Sequence, residues 1–123
     1  MAGYAGEKVL DPAALIDLAD QMQSDAVARN YALKFMDLLQ QRHDRILAAL
    51  GTDDIRATLD AVLSLKVNAH MVGALTLEQT CRSLQRCVLD GDNPNAARHA
   101  QGLPRDIDAV KAAIAGLLSG LMH

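Results

Sequence analysis

The segment from Ala26 to Leu50 constrains the fold more than any other part of the sequence. It contains no glycine or proline, the residues that most often interrupt a helix. Its apolar residues recur with the three- and four-residue spacing of one helix face: Ala28, Leu33, Phe35, Leu38, Leu39, Ile46, Ala49 and Leu50. A helix over this segment is roughly 37 Å long. The remaining chain must therefore pack alongside one long helix.

Composition favours helices in the remaining chain as well. The sequence has 21 alanines and 19 leucines, against seven valines, five isoleucines, four threonines and 2% aromatic residues. Alanine and leucine rank high in helix propensity, whereas strands favour β-branched and aromatic residues. A length of 123 residues fits one domain. The sequence therefore excludes an all-β or doubly wound fold and predicts a single all-α domain over residues 1–123.

Local signals predict where the helices begin and end. Asp11 followed by Pro12 is typical of a helix start, and Gly51 is expected to end the long helix in a left-handed conformation. The predicted helices run from Pro12 to about Gln23, from Ala26 to Leu50, from a cap at Thr52 or Asp53 to about Val72, from about Leu75 to Leu89, and from near Pro104 onward. Short turns make long helices antiparallel neighbours. We therefore predict an antiparallel four-helix bundle with an additional short N-terminal helix, preceded by a flexible N-terminus over residues 1–10.

Charge and cysteine content exclude several classes of function. The formal charge is −3 and no run of lysine or arginine is present, so we expect no nucleic-acid partner. No stretch approaches the ~20 apolar residues that would span a bilayer, and the first residues lack the order of a signal peptide. Cys81 and Cys87 lie too far apart on one helix for a disulfide. We expect a cytoplasmic protein with no membrane partner, no metal and no cofactor.

The most informative segment runs from Leu63 to Ala74, with the sequence LSLKVNAHMVGA. It closely resembles the signature of histidine phosphotransfer (HPt) domains, H-x-L-K-G-S-S/A-x-x-x-G-A. Five residues match family positions: Leu65, Lys66, Ala69, Gly73 and Ala74. The segment that follows, and the start of the chain around Asp11, are similar to the family too. The resemblance covers most of the chain and implies a four-helix bundle that acts in phosphorelay signalling.

Two departures from the HPt pattern bear directly on its chemistry. Leu63 stands where the family has its phosphoacceptor histidine, and Val67 stands where the family usually has glycine. An imidazole nitrogen can accept a phosphoryl group and pass it to an aspartate, whereas leucine cannot accept phosphate. A valine would also crowd the approach of an incoming receiver domain. The resemblance therefore implies a degenerate HPt domain that has lost phosphotransfer.

The same helix carries a candidate partner-binding surface. Leu63, Val67 and Met71 form an apolar row at four-residue spacing, on a face that should be solvated. Aligned exposed apolar residues often mark a binding site. The alternatives are contact with the C-terminal helix, self-association into a homodimer, and exposure without function. Lys66 resembles the family lysine that lies near the phosphoryl group, and it could contact an acidic pocket of a partner or simply be solvated.

His70 has two interpretations. It could be a displaced phosphoacceptor, or a half-exposed polar residue at the edge of the bundle. No partner that would orient the imidazole is visible in the sequence. We predict a module that binds a response-regulator receiver domain or a histidine kinase through Leu63, Lys66, Val67, His70 and Met71, without catalytic activity. An active phosphocarrier that uses His70 and a homodimeric structural bundle are the alternatives.

Overall fold

The computed structural model describes residues 9–121, which form six α-helices and no strand. The helices are α1 (Pro12–Met22), α2 (Asp25–Leu50), α3 (Ile55–Val72), α4 (Leu75–Leu89), α5 (Asn93–Gln101) and α6 (Leu103–Leu121). The prediction of an all-α fold is therefore confirmed. Across this described part of the chain, no helix has the length and apolar character needed to cross a bilayer.

Four of the helices close into a ring. α2 packs against α3 and α6, and α4 packs against the same two helices. α3 and α6 therefore lie diagonally opposite each other, and one long side of α3 remains outside the bundle. The shared core consists of fully buried aliphatic side chains, among them Leu39, Ile46, Leu65, Leu77, Leu84 and Ile114. This is the expected four-helix bundle, and α1 is the additional short helix, packed beside α2 and α3.

The start of α3 differs from the prediction. We expected Thr52 or Asp53 to cap this helix, but Asp54 does so, because its carboxylate accepts a hydrogen bond of 3.0 Å from the amide of Ala57. Asp53 instead takes the left-handed conformation (φ 58°) that we predicted for Gly51, whose own φ is −76°. The backbone thus stays helical at Gly51, and the chain changes direction at Asp53.

The tail after α4 contains one helix more than expected. We predicted a last helix from near Pro104, whereas α5 already fills residues 93–101 and α6 begins directly after Gly102. Gly102 keeps a right-handed conformation (φ −82°), so a single residue is enough to redirect the chain. α6 packs against α2 and α4 and buries Ile114 completely. The tail therefore completes the bundle.

The N-terminal segment is held more firmly than we expected. Of the predicted flexible N-terminus, residues 1–8 lie outside the described residues, but Val9 and Leu10 pack against the core. The amide of Leu75 donates a hydrogen bond of 3.0 Å to the carbonyl of Val9, and the amide of Asp11 donates one of 2.8 Å to the carbonyl of Gly73. The segment before α1 is therefore fixed to the turn between α3 and α4.

Gly73 makes this contact possible. It ends α3 with φ +78°, a conformation that L side chains rarely adopt. A Cβ atom at this position would lie 2.5 Å from the carbonyl oxygen of Asp11 and 2.8 Å from the Cβ of Ala14. A side chain would therefore force the N-terminal segment and α1 away from the turn.

We expect Gly73→Ala to lower the free energy of unfolding by about 3 kcal/mol, the sum of left-handed strain and the steric contact. Gly91→Ala is the matched control, because Gly91 also has a positive φ (+73°) but no atom within 4 Å of the added Cβ. Left-handed strain alone should lower the free energy of unfolding of Gly91→Ala by about 1 kcal/mol. Urea denaturation of both variants measures the difference, and equal losses would contradict a steric role for Gly73.

Candidate functional site

The outer side of α3 carries an exposed row of apolar residues. Leu63, Val67 and Met71 follow one another at one-turn spacing, and 44%, 49% and 39% of their surfaces are exposed. Within residues 9–121 the tail does not cover them, because α6 packs against α2 and α4 on the far side of the bundle. We call these three residues the α3 row.

Polar and basic residues border the α3 row on the side of α2. The hydroxyl of Tyr31 donates a hydrogen bond of 2.9 Å to Oδ1 of Asn68, and Nδ2 of Asn68 donates one of 2.7 Å to the carbonyl of Ser64. Burial raises the pKa of Tyr31 by more than nearby Arg42 lowers it, so the hydroxyl stays protonated and donates. Arg42 and Lys34 also line a pocket of about 200 Å³ beside Asn68.

The other two residues of the predicted surface border the α3 row on the side of α4. Nζ of Lys66 donates a hydrogen bond of 2.8 Å to Oε1 of Gln85 on α4. Nδ1 of His70 lies 3.2 Å from both carboxylate oxygens of Glu78, also on α4. The five residues singled out in the sequence therefore share one surface, and two of them are tied to α4 by hydrogen bonds.

Glu78 lies at the centre of a charged cluster. Its side chain is only 10% exposed, and its Oε2 accepts a hydrogen bond of 2.6 Å from Nη2 of Arg82. Burial raises the pKa of Glu78, but the hydrogen bonds and positive charges of Arg82 and His70 together lower it more, so its pKa lies below the ordinary value. The carboxylate is therefore ionised at neutral pH and accepts hydrogen bonds from both neighbours.

His70 is oriented although it is exposed. Its side chain is 71% accessible to solvent, yet the Glu78 carboxylate fixes its Nδ1. When the imidazole is neutral, a carboxylate that accepts a hydrogen bond from Nδ1–H leaves the Nε2 atom with a free lone pair. The imidazole can then act as a base or a nucleophile at Nε2, and its fixed orientation distinguishes it from an ordinary solvated histidine.

The sequence analysis missed Glu78 as the partner of His70. The signal lay in the hairpin: residues 70 and 78 are equally far from Ala74, which stands between α3 and α4. Residues placed symmetrically about the turn of an antiparallel pair of helices lie opposite each other. Applied to the motif, this rule would have paired the histidine with the glutamate.

A groove of about 500 Å³ opens beside this cluster, between α1 and the turn that joins α3 to α4. His70, Glu78 and Arg82 line one side of the groove. Asp11, which precedes α1, and Asp17 of α1 line the other. The imidazole of His70 therefore stands at the border between the groove and the α3 row.

Two other chemically active side chains, Cys81 and His43, are buried. Burial, together with the negative charge of Asp106, raises the pKa of Cys81 to about 12, so its thiol is inert at neutral pH. Nδ1 of His43 lies 3.3 Å from Oδ1 of its neighbour Asp44. No group of three or more potential metal ligands occurs between residues 9 and 121.

Two solved structures are similar to this one. Histidine-containing phosphotransfer protein B (HptB) of Pseudomonas aeruginosa PAO1 superposes with a TM-score of 0.79 at 21% identity, over 90% of this chain and 95% of that one. The HPT domain of an Hpt sensor hybrid histidine kinase from Shewanella superposes with a TM-score of 0.71 at 18% identity, over 91% and 95%. The two solved structures therefore have the same fold as this chain.

Comparison of sequences gives the family. No curated protein matches the chain. The family model of the Hpt domain matches residues 30–113, which extend from the first third of α2 to just past the middle of α6 and include the whole of α3. The match covers well over half of the chain, and we conclude that this protein belongs to the Hpt domain family.

Proposed function

We propose that this domain binds a receiver domain through the α3 row and does not itself carry phosphate. Membership of the Hpt family implies a role in phosphorelay signalling. The observation that carries the finer proposal is Leu63, an exposed leucine at the position where the family motif has its acceptor histidine. A histidine kinase is the second partner class that the family implies.

The chemistry of the surface suits a receiver domain. A receiver accepts phosphate on an aspartate, so its site is acidic. Basic residues border the α3 row on both sides, although the chain as a whole has a net charge of −3. These residues are Lys34 and Arg42 of α2, Lys66 of α3 and Arg82 of α4. Acidic side chains also lie on the α4 side: Glu78 is paired with Arg82, and Asp11 and Asp17 line the opposite wall of the groove. An apolar centre with a basic border complements an acidic pocket with an apolar rim.

The proposed mechanism is competition or scaffolding. A receiver that docks on the α3 row is withheld from other phosphodonors and acceptors for as long as the complex lasts. Leu63 then supplies apolar contact at the position where an active family member would supply a nucleophile. Val67, one turn later, fills the space that a glycine would leave open.

We expect Val67→Asp to weaken receiver binding at least about tenfold, or about 1.4 kcal/mol, because docking would bury an unpaired carboxylate. Leu47→Asp is the matched control: Leu47 is 45% exposed on α2 and lies outside the α3 row. Calorimetric titration of each variant with individually purified receiver domains from the source organism measures the affinities. Equal effects of the two substitutions, or binding to no receiver, would contradict the proposed surface.

We expect the wild type to take up no acid-labile phosphate from a phosphorylated receiver, and Leu63→His/Val67→Gly to become labelled. The double substitution supplies an imidazole and removes the crowding side chain. Circular dichroism checks that the glycine, which costs about 1 kcal/mol in a helix, leaves the fold intact. Leu63→His alone measures how much Val67 obstructs transfer.

A different labelling result would select one of the alternatives. Acid-labile phosphate that is present on the wild type and absent from His70→Gln would show that the protein is an active phosphocarrier. That result would contradict the proposal. Light scattering tests for the homodimer: a stable dimer that Leu63→Asp dissociates would mean that a second copy, and not a receiver, occupies the α3 row.

A further inference from the structure

We propose that His70, oriented by Glu78, is a general base that hydrolyses the aspartyl phosphate of a docked receiver. The domain would then remove phosphate from its partner instead of carrying it. This inference rests on the proposed function, because the substrate is the receiver that the α3 row binds.

The orientation of the imidazole is the first support. Both carboxylate oxygens of Glu78 lie 3.2 Å from Nδ1 of His70, and Nη2 of Arg82 donates a hydrogen bond of 2.6 Å to Oε2 of the same carboxylate. A carboxylate in this position selects the tautomer with a free Nε2 and stabilises the imidazolium that forms when Nε2 takes a proton. Carboxylate, imidazole and water form the arrangement that general-base catalysis requires.

The position of His70 is the second support. It lies one turn after Lys66 and directly before Met71 of the α3 row, but about 10.5 Å farther along the helix than Leu63. We therefore place the phosphoaspartate of the docked receiver beside Lys66 and Met71, within reach of the imidazole, and not opposite Leu63. Its side chain is 71% exposed and borders the groove of about 500 Å³, which leaves space for water. Lys66, one turn away on the same side of α3, places a positive charge where phosphoryl oxygens would lie.

A purely structural role explains the contact less well. The pairing between His70 and Glu78 involves a side chain that is mostly in solvent, and exposed ion pairs add little stability. Arg82 already neutralises the buried carboxylate through a shorter hydrogen bond. The imidazole is therefore not needed to satisfy the charge of Glu78, whereas the carboxylate is needed to orient the imidazole.

The reaction is a hydrolysis with water as the only co-reactant. Nε2 of His70 takes a proton from a water molecule whose oxygen forms a bond to phosphorus. The bond between phosphorus and the aspartate oxygen breaks, and the carboxylate leaves with the electron pair. The products are inorganic phosphate and the free aspartate, and the proton on His70 passes to solvent. Nothing is oxidised or reduced, and no covalent bond to this protein forms.

The test uses a purified receiver domain that binds the full chain, charged with radiolabelled acetyl phosphate and freed of excess reagent. We expect a substoichiometric amount of wild-type protein to speed release of inorganic phosphate at least about tenfold, without label on the protein. His70→Gln should lose this acceleration even at receiver concentrations that saturate each variant, so that weaker binding does not account for the loss. His99→Gln, which changes a histidine of α5, should behave as wild type.

Two further measurements separate a catalytic role from a structural one. Glu78→Gln should slow hydrolysis, because an amide cannot stabilise the imidazolium, and this variant keeps the size of the buried side chain. His70→Ala should regain part of its activity when imidazole is added to the buffer, because the site is open to solvent. Neither result follows if His70 only joins α3 to α4.

Each other outcome has a defined meaning. Acid-labile phosphate on His70 would overturn the proposal in favour of a phosphohistidine, and hydrolysis that His70→Gln leaves unchanged would overturn it outright. Receiver binding without any acceleration would overturn this inference and leave the proposed function standing. Failure of every receiver to bind would overturn the proposed function itself.

Discussion

The structure depends on how closely the chain approaches itself at Gly73. Because no side chain stands between Gly73 and the carbonyl of Asp11, the segment before α1 can pair with the turn between α3 and α4. That pairing holds α1 against α3, and the tight turn sets the register of α3 against α4. The register then brings His70 opposite Glu78. One missing Cβ atom thus determines both the packing of the short helix and the geometry of the charged cluster.

The ring of four helices explains why the candidate site lies where it does. A helix in such a ring buries the side that faces its two neighbours and the diagonal helix, and α3 buries Leu65, Ala69 and Val72 in this way. Residues on its opposite side face only solvent or a partner. The α3 row is therefore accessible because of the architecture, and the residues of α2 and α4 that flank α3 become its borders.

Much of this could be predicted from the sequence because it depends on local signals. α4 has the predicted bounds, because Gly73 and the turn after Leu89 are strong signals for the start and the end of a helix. Other features depend on choices that local signals do not decide. Two consecutive aspartates, Asp53 and Asp54, are equally good caps, and only the backbone conformation selects the second. α5 escaped prediction because one glycine in a helical conformation can separate two helices.

The candidate site was predictable in part. The pattern along α3 correctly grouped five residues on one surface, because helical periodicity alone settles which side chains share a face. The partner of His70 was missed, because the contact with Glu78 joins two helices and depends on their register. Patterns within one helix carry no information about register, whereas symmetry about the turn does.

The open side of α3 also bears on how such domains diverge. Exchanges between exposed residues outside special sites usually change stability by less than about 0.5 kcal/mol. The residues at positions 63 and 67 contribute nothing to the buried core, so the fold exerts almost no selection on them. A lineage could therefore lose or acquire phosphoryl chemistry in one or two mutational steps while its core pattern stays recognisable. In this chain, the buried side of α3 supplies the packing that the fold requires, and the opposite side carries the residues on which the proposed function depends.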